Sequence, residues 1–262
     1  MSRETVTIII VVALFGAFLL LLLASLVLLA VWGVVARVVD EDVLPAPWAV
    51  FQALLEEVPG GLGRHFLVSG ARVAVSIVLA VVLAVPAGLA LGQYPRLDRF
   101  VAPFIYILYP IPKIVFLPII LLFLGIGNTS KVFIITLILF FQVLVVVRDA
   151  ARALRPELIY SVRSLGAGRL ALFHFVYVPA TLPATLTAVR VSIGTAIAVL
   201  FFAESFATVS GLGYYIIVES WGRLAYPEMY AGVFALSVLG LLFYFVVDRL
   251  ERRLSPWSLS TN

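Results

Sequence analysis

Few side chains in this sequence could carry out chemistry. The chain has no cysteine, and its only histidines and lysines are His65, His174, Lys113 and Lys131. Without cysteine it cannot form a disulfide, a thiolate metal site or a thiol nucleophile. The two histidines are too far apart for the His-Glu-x-x-His zinc motif, and neither lysine follows a glycine, as the lysine of the ATPase phosphate-binding loop does. The sequence therefore predicts no catalytic residue, no metal site and no ATP-binding site in this chain.

A few ionisable residues interrupt long apolar stretches, and such residues usually mark a route for a solute or an ion through a membrane. The ionisable residues of this kind are Arg72, Lys113, Arg190 and Glu204. We take Lys113, Arg190 and Glu204, together with Thr195 from the small-residue face of the fifth predicted span, as candidates for a translocation path. Lys113 and Arg190 would suit an anionic solute. The alternatives are that Arg190 snorkels to the membrane surface, that Thr195 serves close helix packing, and that Glu204 lies at the outer mouth of a span.

The composition indicates the environment that these residues share. Hydrophobic residues make up 63% of the chain and charged residues 12%, with a mean hydropathy of +1.17. Soluble domains are about 45–50% apolar and about 25% charged. These values exclude an ordinary soluble enzyme, a disordered regulator and a disulfide-rich secreted module, and they predict an integral membrane protein. The net charge of +4 then reflects basic cytoplasmic loops rather than binding to nucleic acid.

Apolar stretches of about 20 residues can cross a bilayer, and they predict an all-α protein with one transmembrane domain over residues 1–262. The six predicted spans lie at about residues 8–35, 66–91, 101–124, 132–147, 179–206 and 229–247. The first is too long for a signal peptide, so we expect it to be retained. Residues 48–58 are expected to form a short amphipathic helix at the membrane surface.

The third predicted span is unusual because it contains Pro103, Pro110, Pro112 and Pro118. Each proline removes one backbone hydrogen bond from a helix. Unsatisfied backbone groups are not tolerated against lipid, so part of this span is expected to face protein or a water-filled path.

Loop charges predict the orientation in the membrane. When the N-terminus is placed in the cytoplasm, most loop arginines fall on the cytoplasmic side, as the positive-inside rule requires. Acidic residues such as Asp42, Glu56 and Glu57 then face outward. We expect both termini of a multi-pass protein to be cytoplasmic.

Residues 148–176 form the largest charged insert between two predicted spans. Their pattern is a helix, a turn at Gly166, a second helix, and a restart of the next span at Pro179. Such an insert would present a rigid feature to a partner in the cytoplasm. The alternative is a basic segment that only anchors the protein to anionic lipid.

The insert resembles the EAA loop of ABC-importer permeases, in which a Glu-Ala-Ala motif is followed by a glycine and later by Ile-x-Leu-Pro. The corresponding positions here are Tyr160, Ser161, Val162, Gly166, Val176, Val178 and Pro179. The spacing from Gly166 to Pro179 fits the loop without a gap. Tyr160, Ser161 and Val162 depart from Glu-Ala-Ala, which bears on the detailed contacts of the loop with its partner.

Further stretches resemble the nitrate, sulfonate, taurine and bicarbonate branch of these permeases, in the family's order over about residues 44–253. They are Leu44-Pro45-Ala46-Pro47, Pro110-Ile111-Pro112-Lys113, Leu117-Pro118, Phe123-Leu124-Gly125-Ile126-Gly127, Arg163-Ser164-Leu165-Gly166-Ala167, Leu182-Pro183 and Ser210-Gly211-Leu212-Gly213-Tyr214.

This resemblance implies the MetI-like fold of type I ABC importers and the function of a binding-protein-dependent permease. It implies a homodimer in the inner membrane of a prokaryote, two ABC ATPase subunits, and a periplasmic or lipid-anchored solute-binding protein. ATP and Mg²⁺ would be bound by the ATPase subunits, and this chain would hold no cofactor. The solute would be a small anion such as nitrate, taurine, another sulfonate or bicarbonate.

The resemblance also implies which residues of the coupling helices contact the ATPases. They are Tyr160, Ser161, Val162, Arg163, Ser164, Leu165, Gly166, Ala167, Arg169 and Pro179. Two alternatives of other classes remain at this point. An ion-coupled secondary transporter would work without an ATPase, and an intramembrane enzyme would turn over a substrate alone.

Overall fold

A computed structural model of the chain describes residues 3–39, 41–206 and 208–257, and the regular elements in these ranges are all helical. The helices are α1 Arg3–Val39, α2 Pro47–Glu57, α3 Gly63–Gln93, α4 Pro95–Leu108, α5 Leu117–Leu124, α6 Asn128–Arg152, α7 Pro156–Ser164, α8 Arg169–Leu172, α9 Val178–Ser205, α10 Leu212–Tyr214 and α11 Tyr226–Leu254. Short π-helical or 3₁₀ turns occupy Val58–Leu62, Lys113–Phe116, Phe173–Tyr177, Tyr215–Ser220 and Trp221–Arg223.

Five helical stretches in the described ranges are long and apolar enough to cross a membrane. They are Leu22–Val39, Pro47–Gln93, Asn128–Arg152, Arg169–Ser205 and Tyr226–Leu254. These stretches overlap five of the predicted spans. The predicted surface helix at residues 48–58 corresponds to α2, and a π-helical turn connects α2 to α3. The extreme ends of the predicted domain, residues 1–2 and 258–262, lie outside the described residues.

The remaining predicted span, residues 101–124, is broken rather than continuous. Its two parts, Pro95–Leu108 and Lys113–Leu124, are bent by 77° relative to each other, and they bring the number of spans to six if the pair counts as one. The break contains Pro110 and Pro112, which lack the backbone N–H that a continuous helix needs at these positions. The prolines of this span therefore produce a sharp break, where the sequence predicted only that some backbone bonds would be missing.

The core is built on α3, α6 and α9, which pack side by side, with α11 against α9. Two glycines of α3 let it approach α6 closely: a Cβ built at Gly92 would lie 2.3 Å from the Cβ of Ala151, and one at Gly88 would lie 2.9 Å from Val147. Small residues at such crossings are typical of helices that associate in a membrane. By contrast, α1 exposes apolar residues such as Leu20 and Leu28 and contacts mainly α2.

The insert leaves the core at the end of α6 and returns to it at α9. Residues 148–152 are the last turn of α6, so the free part of the predicted insert begins at residue 153. α7 and α8 are separated by a turn at Gly166, whose φ of +86° lies in the left-handed region that favours glycine. The π-helical turn Phe173–Tyr177 then continues into α9. The predicted order of helix, glycine turn, helix and restart is confirmed.

Candidate functional site

An open groove lies near the middle of α6 and α9, beside the C-terminal end of α4. Its volume is about 430 Å³, and its polar lining consists of Tyr109, Gln142, Thr187, Ser192 and Thr195. Gln142 donates from Nε2 to Thr195 Oγ1 at 3.3 Å. The Gln142 Oε1 atom is buried and accepts no hydrogen bond from the described part of the chain. The groove therefore offers neutral hydrogen-bonding groups near the middle of two core helices.

Among the predicted path residues, only Thr195 lines this groove. Lys113 lies next to it: its Nζ donates to the carbonyls of Leu108 at 2.9 Å and Tyr109 at 3.1 Å, and it lies 4.4 Å from the ring centroid of Phe141. Carbonyls at the end of a helix lack partners within the helix. The structure thus places Lys113 as the group that satisfies the end of α4 at the break.

Arg190 points away from the groove, toward α11. Its Nη1 lies 2.8 Å from Asp248 Oδ1 and 3.3 Å from Glu251 Oε2. Arg252 donates to the other Asp248 oxygen at 2.9 Å. The charge of Arg190 is thereby balanced between two helices near the predicted cytoplasmic surface.

Glu204 lies at the predicted outer end of α9 and is completely buried. Its carboxylate accepts hydrogen bonds from Arg72 Nη1 at 2.6 Å, Ser69 Oγ at 2.7 Å and the backbone N–H of Gly213 at 3.1 Å. Arg72 also donates to Asn128 Oδ1 from Nε at 2.9 Å and from Nη2 at 2.6 Å. Glu204 therefore joins α3, α6 and α9 in one satisfied polar network that does not reach the groove.

The same network holds the loop that follows α9. Successive backbone N–H groups of Gly211 and Leu212 donate to His65 Nδ1 and Ser69 Oγ, each at 2.8 Å. Gly211 has a φ of +115°, and a Cβ there would lie 2.3 Å from Glu204 Cδ. Only glycine fits this approach. The sequence singled out this glycine loop but not its partners, because they come from a helix about 140 residues earlier.

His65 extends the network to the protein surface. Its Nε2 lies 3.3 Å from Glu219 Oε2, and its ring centroid lies 5.8 Å from that of Tyr215. Burial raises the pKa of the Tyr215 hydroxyl, so this group is neutral at physiological pH.

The insert exposes most of the residues predicted to contact a partner. Tyr160, Ser161, Arg163, Ser164, Leu165, Gly166 and Arg169 are exposed, and Val162, Ala167 and Pro179 are partly buried. Leu165 and Leu170 are 86% and 75% exposed. These apolar side chains lie on the side where the predicted topology puts water rather than lipid, and an exposed apolar surface of this kind is typical of an interaction site.

Comparison with known proteins shows which family has this arrangement. Residues 75–257 match the family described as "Binding-protein-dependent transport system inner membrane component". The chain belongs to this family. The predicted family and function are confirmed: the chain is a membrane permease component of a binding-protein-dependent importer.

Three relatives illustrate the range of the family. The taurine transport system permease protein TauC of Escherichia coli (strain K12) is 32% identical over 240 residues, covering 88% of this chain and 86% of the relative. The putative aliphatic sulfonates transport permease protein SsuC of Bacillus subtilis (strain 168) is 29% identical, and the alignment covers 90% of this chain and 86% of the relative. The nitrate import permease protein NrtB of Synechococcus elongatus is 24% identical and covers 88% of both chains.

The fold has a counterpart among solved structures. A chain of the inward-facing MetNI methionine ABC transporter aligns with a TM-score of 0.62 and 23% sequence identity. The alignment covers 74% of this chain and 95% of that chain. The predicted MetI-like, all-α membrane fold is confirmed.

Proposed function

We propose that this permease works as a homodimer with two ABC ATPase subunits and a solute-binding protein, and that it imports a small anion such as a sulfonate or nitrate. The observation that carries the proposal is the pairing, in one chain, of a polar groove near the middle of α6 and α9 with an exposed insert between them. The groove is a candidate for the wall of the translocation path. The insert is a candidate for the surface on which an ATPase acts.

The dimer is proposed because the groove is open along one side of the chain. Gln142 and Thr195, whose hydrogen-bonding groups are only partly used within the chain, would face lipid in a single copy, where unsatisfied polar groups are costly. A second copy placed against the same face would enclose the grooves in one central path. In this arrangement each chain supplies half of the wall.

We propose an anionic solute because two of the relatives are named for the transport of taurine and of nitrate. The groove suits such a solute through neutral donors of Gln142 and Thr195 rather than through a fixed positive charge. Lys113 and Arg190, the cations predicted for the path, both have partners within the chain. Neutral donors would let an anion pass without being trapped, and selection would then rest mainly with the binding protein.

Coupling is proposed to run through the exposed face of α7, the Gly166 turn and α8. Arg163 and Arg169 would pair with acidic ATPase residues, and Leu165 would enter an apolar cleft. ATP and Mg²⁺ would bind to the ATPase subunits, with no cofactor in this chain. Closure of the ATPases would push the insert and alternate the groove between inward and outward access, with both termini in the cytoplasm.

Reconstitution tests the proposal directly. The chain is co-expressed with a candidate ABC ATPase and a candidate solute-binding protein from the same organism, purified, and placed in proteoliposomes containing ATP. We expect uptake of taurine, an alkanesulfonate or nitrate that requires ATP and the binding protein. Uptake without the ATPase, or driven by an ion gradient alone, would contradict the proposal and favour the secondary transporter.

A further inference from the structure

Asp98 is a buried carboxylate at the start of α4, next to the point where the insert leaves the membrane domain. It is 5% exposed, and it accepts hydrogen bonds from two arginines in the last turn of α6. Arg148 donates to both oxygens, at 3.0 Å from Nη2 to Oδ2, and Arg152 Nη1 lies 2.6 Å from Oδ2. We call these three residues the Asp98 clamp.

The clamp holds a helix that is otherwise weakly attached. In α4 only Asp98 and Ile105 are buried, while Phe104, Tyr106 and Ile107 are each more than half exposed. A carboxylate that receives charge-assisted hydrogen bonds from two guanidinium groups makes a strong attachment in a buried setting. The position of α4 relative to α6 therefore depends on Asp98 more than on apolar packing.

One end of α4 lies next to the start of the coupling insert, and its other end lies next to the polar groove. Its first turn is tied to Arg148 and Arg152, directly before the insert begins at residue 153. Its last residues lead to Tyr109, which lines the polar groove, and to the 77° break. The helix has 14 residues and so spans about 21 Å at 1.5 Å per residue. A shift at the clamp would be carried along a rigid helix to the groove.

We propose that Asp98 is a positioning residue that transmits movement of the coupling insert through α4 to the groove at Tyr109. Arg148 and Arg152 lie at the end of the helix from which the insert emerges, so a movement of the insert would reach them first. Asp98 follows them, and the proline-containing break at residues 109–112 lets α4 turn without moving α5. The proposal rests on the proposed function, since it assigns a route for the coupling described there.

The central test is Asp98→Asn in the reconstituted complex, which keeps the side-chain volume and removes the charge. We expect taurine uptake per ATP hydrolysed to fall about ten-fold, because a small misplacement of path-lining groups has effects of this order or larger. ATP hydrolysis itself should stay within about two-fold of the unmodified rate, since the ATPase surface is untouched.

Asp149→Asn is the matched control. Asp149 also contacts Arg148, at 3.4 Å, but it is 62% exposed and lies on the same helix, so it joins nothing to α4. Asp149→Asn should leave the coupling ratio, defined as taurine uptake per ATP hydrolysed, unchanged. Asp98→Glu should recover part of the ratio, and the charge exchange Asp98→Arg with Arg148→Asp should recover more than either single substitution.

A second readout does not depend on the solute. The chain lacks cysteine, so Phe100→Cys on the exposed side of α4 gives one spin label per copy. We expect ATP to change the label-to-label distance in the otherwise unmodified complex and to leave it unchanged with Asp98→Asn.

The outcomes separate the two proposals. An unchanged coupling ratio in Asp98→Asn, or a parallel loss of uptake, ATP hydrolysis and assembly, would overturn the role of Asp98 and leave the proposed function intact. An unmodified complex that hydrolyses ATP without ATP-driven uptake and without an ATP-dependent distance change would overturn both.

Discussion

Glu204 shows how the fold accommodates a charge within the membrane domain. Its carboxylate and the Arg72 guanidinium are almost entirely buried, and hydrogen bonds from Ser69 and Gly213 satisfy the other carboxylate oxygen. Burying an ion pair costs desolvation energy that attraction only roughly offsets, whereas removing one partner leaves an uncompensated buried charge. The network is therefore sensitive to loss of either partner.

We predict that Glu204→Gln destabilises the protein by about 3–5 kcal/mol, because Arg72 keeps its charge without a counter-ion. The change in the free energy of unfolding is measured in detergent, by following the loss of the helical circular-dichroism signal as denaturant is added. Glu56→Gln, an exposed acidic residue on α2, is the matched control and should have little effect. Equal stability of the two variants would contradict the structural role assigned to Glu204.

The groove gives a second prediction at the residue scale. Gln142→Leu removes the amide that donates to Thr195 and that we expect to contact the anion. A hydrogen bond to a charged group contributes about 1.5–3 kcal/mol, so ATP-driven uptake should fall at least ten-fold. ATPase association should be retained. Gln52→Leu makes the same change on the exposed side of α2, and a similar loss of uptake in both variants would argue against the groove as the path.

At the level of elements, the broken span α4–α5 differs most from its sequence prediction. Four prolines predicted irregular backbone, and the break occurs between Leu108 and Lys113, around Pro110 and Pro112. The sequence could not place the break, because Pro103 and Pro118 lie within or at the first turn of helices that remain intact. Lys113 holds the break through local hydrogen bonds to the carbonyls of Leu108 and Tyr109, and the clamp holds the start of α4 through a tertiary contact with α6.

The insert is an element whose shape depends on one turn. Gly166 combines a φ of +86° with a hydrogen bond from its N–H to the Arg163 carbonyl at 2.9 Å. Proline fixes φ near −65° and has no N–H. We predict that Gly166→Pro abolishes association with the ATPase while membrane insertion is retained, as measured by co-purification from detergent-solubilised membranes.

Gly168→Pro provides the control for this turn. Gly168 has a φ of −75°, which proline adopts without strain, so this variant should still associate with the ATPase. Retained association in Gly166→Pro would count against the insert as the docking element. Loss in both variants would show that the insert tolerates no proline, and the specific role of the Gly166 turn would then be refuted.

For the whole molecule, the orientation in the membrane determines whether the insert faces the cytoplasm, where the proposed ATPase would bind it. The absence of cysteine allows single cysteines to report sidedness. We predict that Asp42→Cys, on the exposed loop before α2, reacts with a membrane-impermeant thiol reagent in intact cells, and that Leu165→Cys on the insert reacts only after the membrane is opened. The reverse pattern would invert the predicted topology and separate the insert from any cytoplasmic ATPase.

The sequence by itself determined the features that depend on composition and on neighbouring residues. Apolar runs located the spans, loop arginines gave the predicted orientation, and the spacing from Gly166 to Pro179 located the insert. These signals are readable because a bilayer requires about 20 apolar residues per span and because a left-handed turn favours glycine.

Only the tertiary structure decided what the ionisable residues do. Arg190 and Glu204 were predicted for the path, but the partners that balance their charges, Asp248 and Arg72, lie 58 and 132 residues away along the chain. Asp98 gave no signal in the sequence because Arg148 lies 50 residues later. The role of a charged side chain in this protein depends on the residues that it contacts on other helices. Those contacts result from helix packing, which local sequence patterns do not encode.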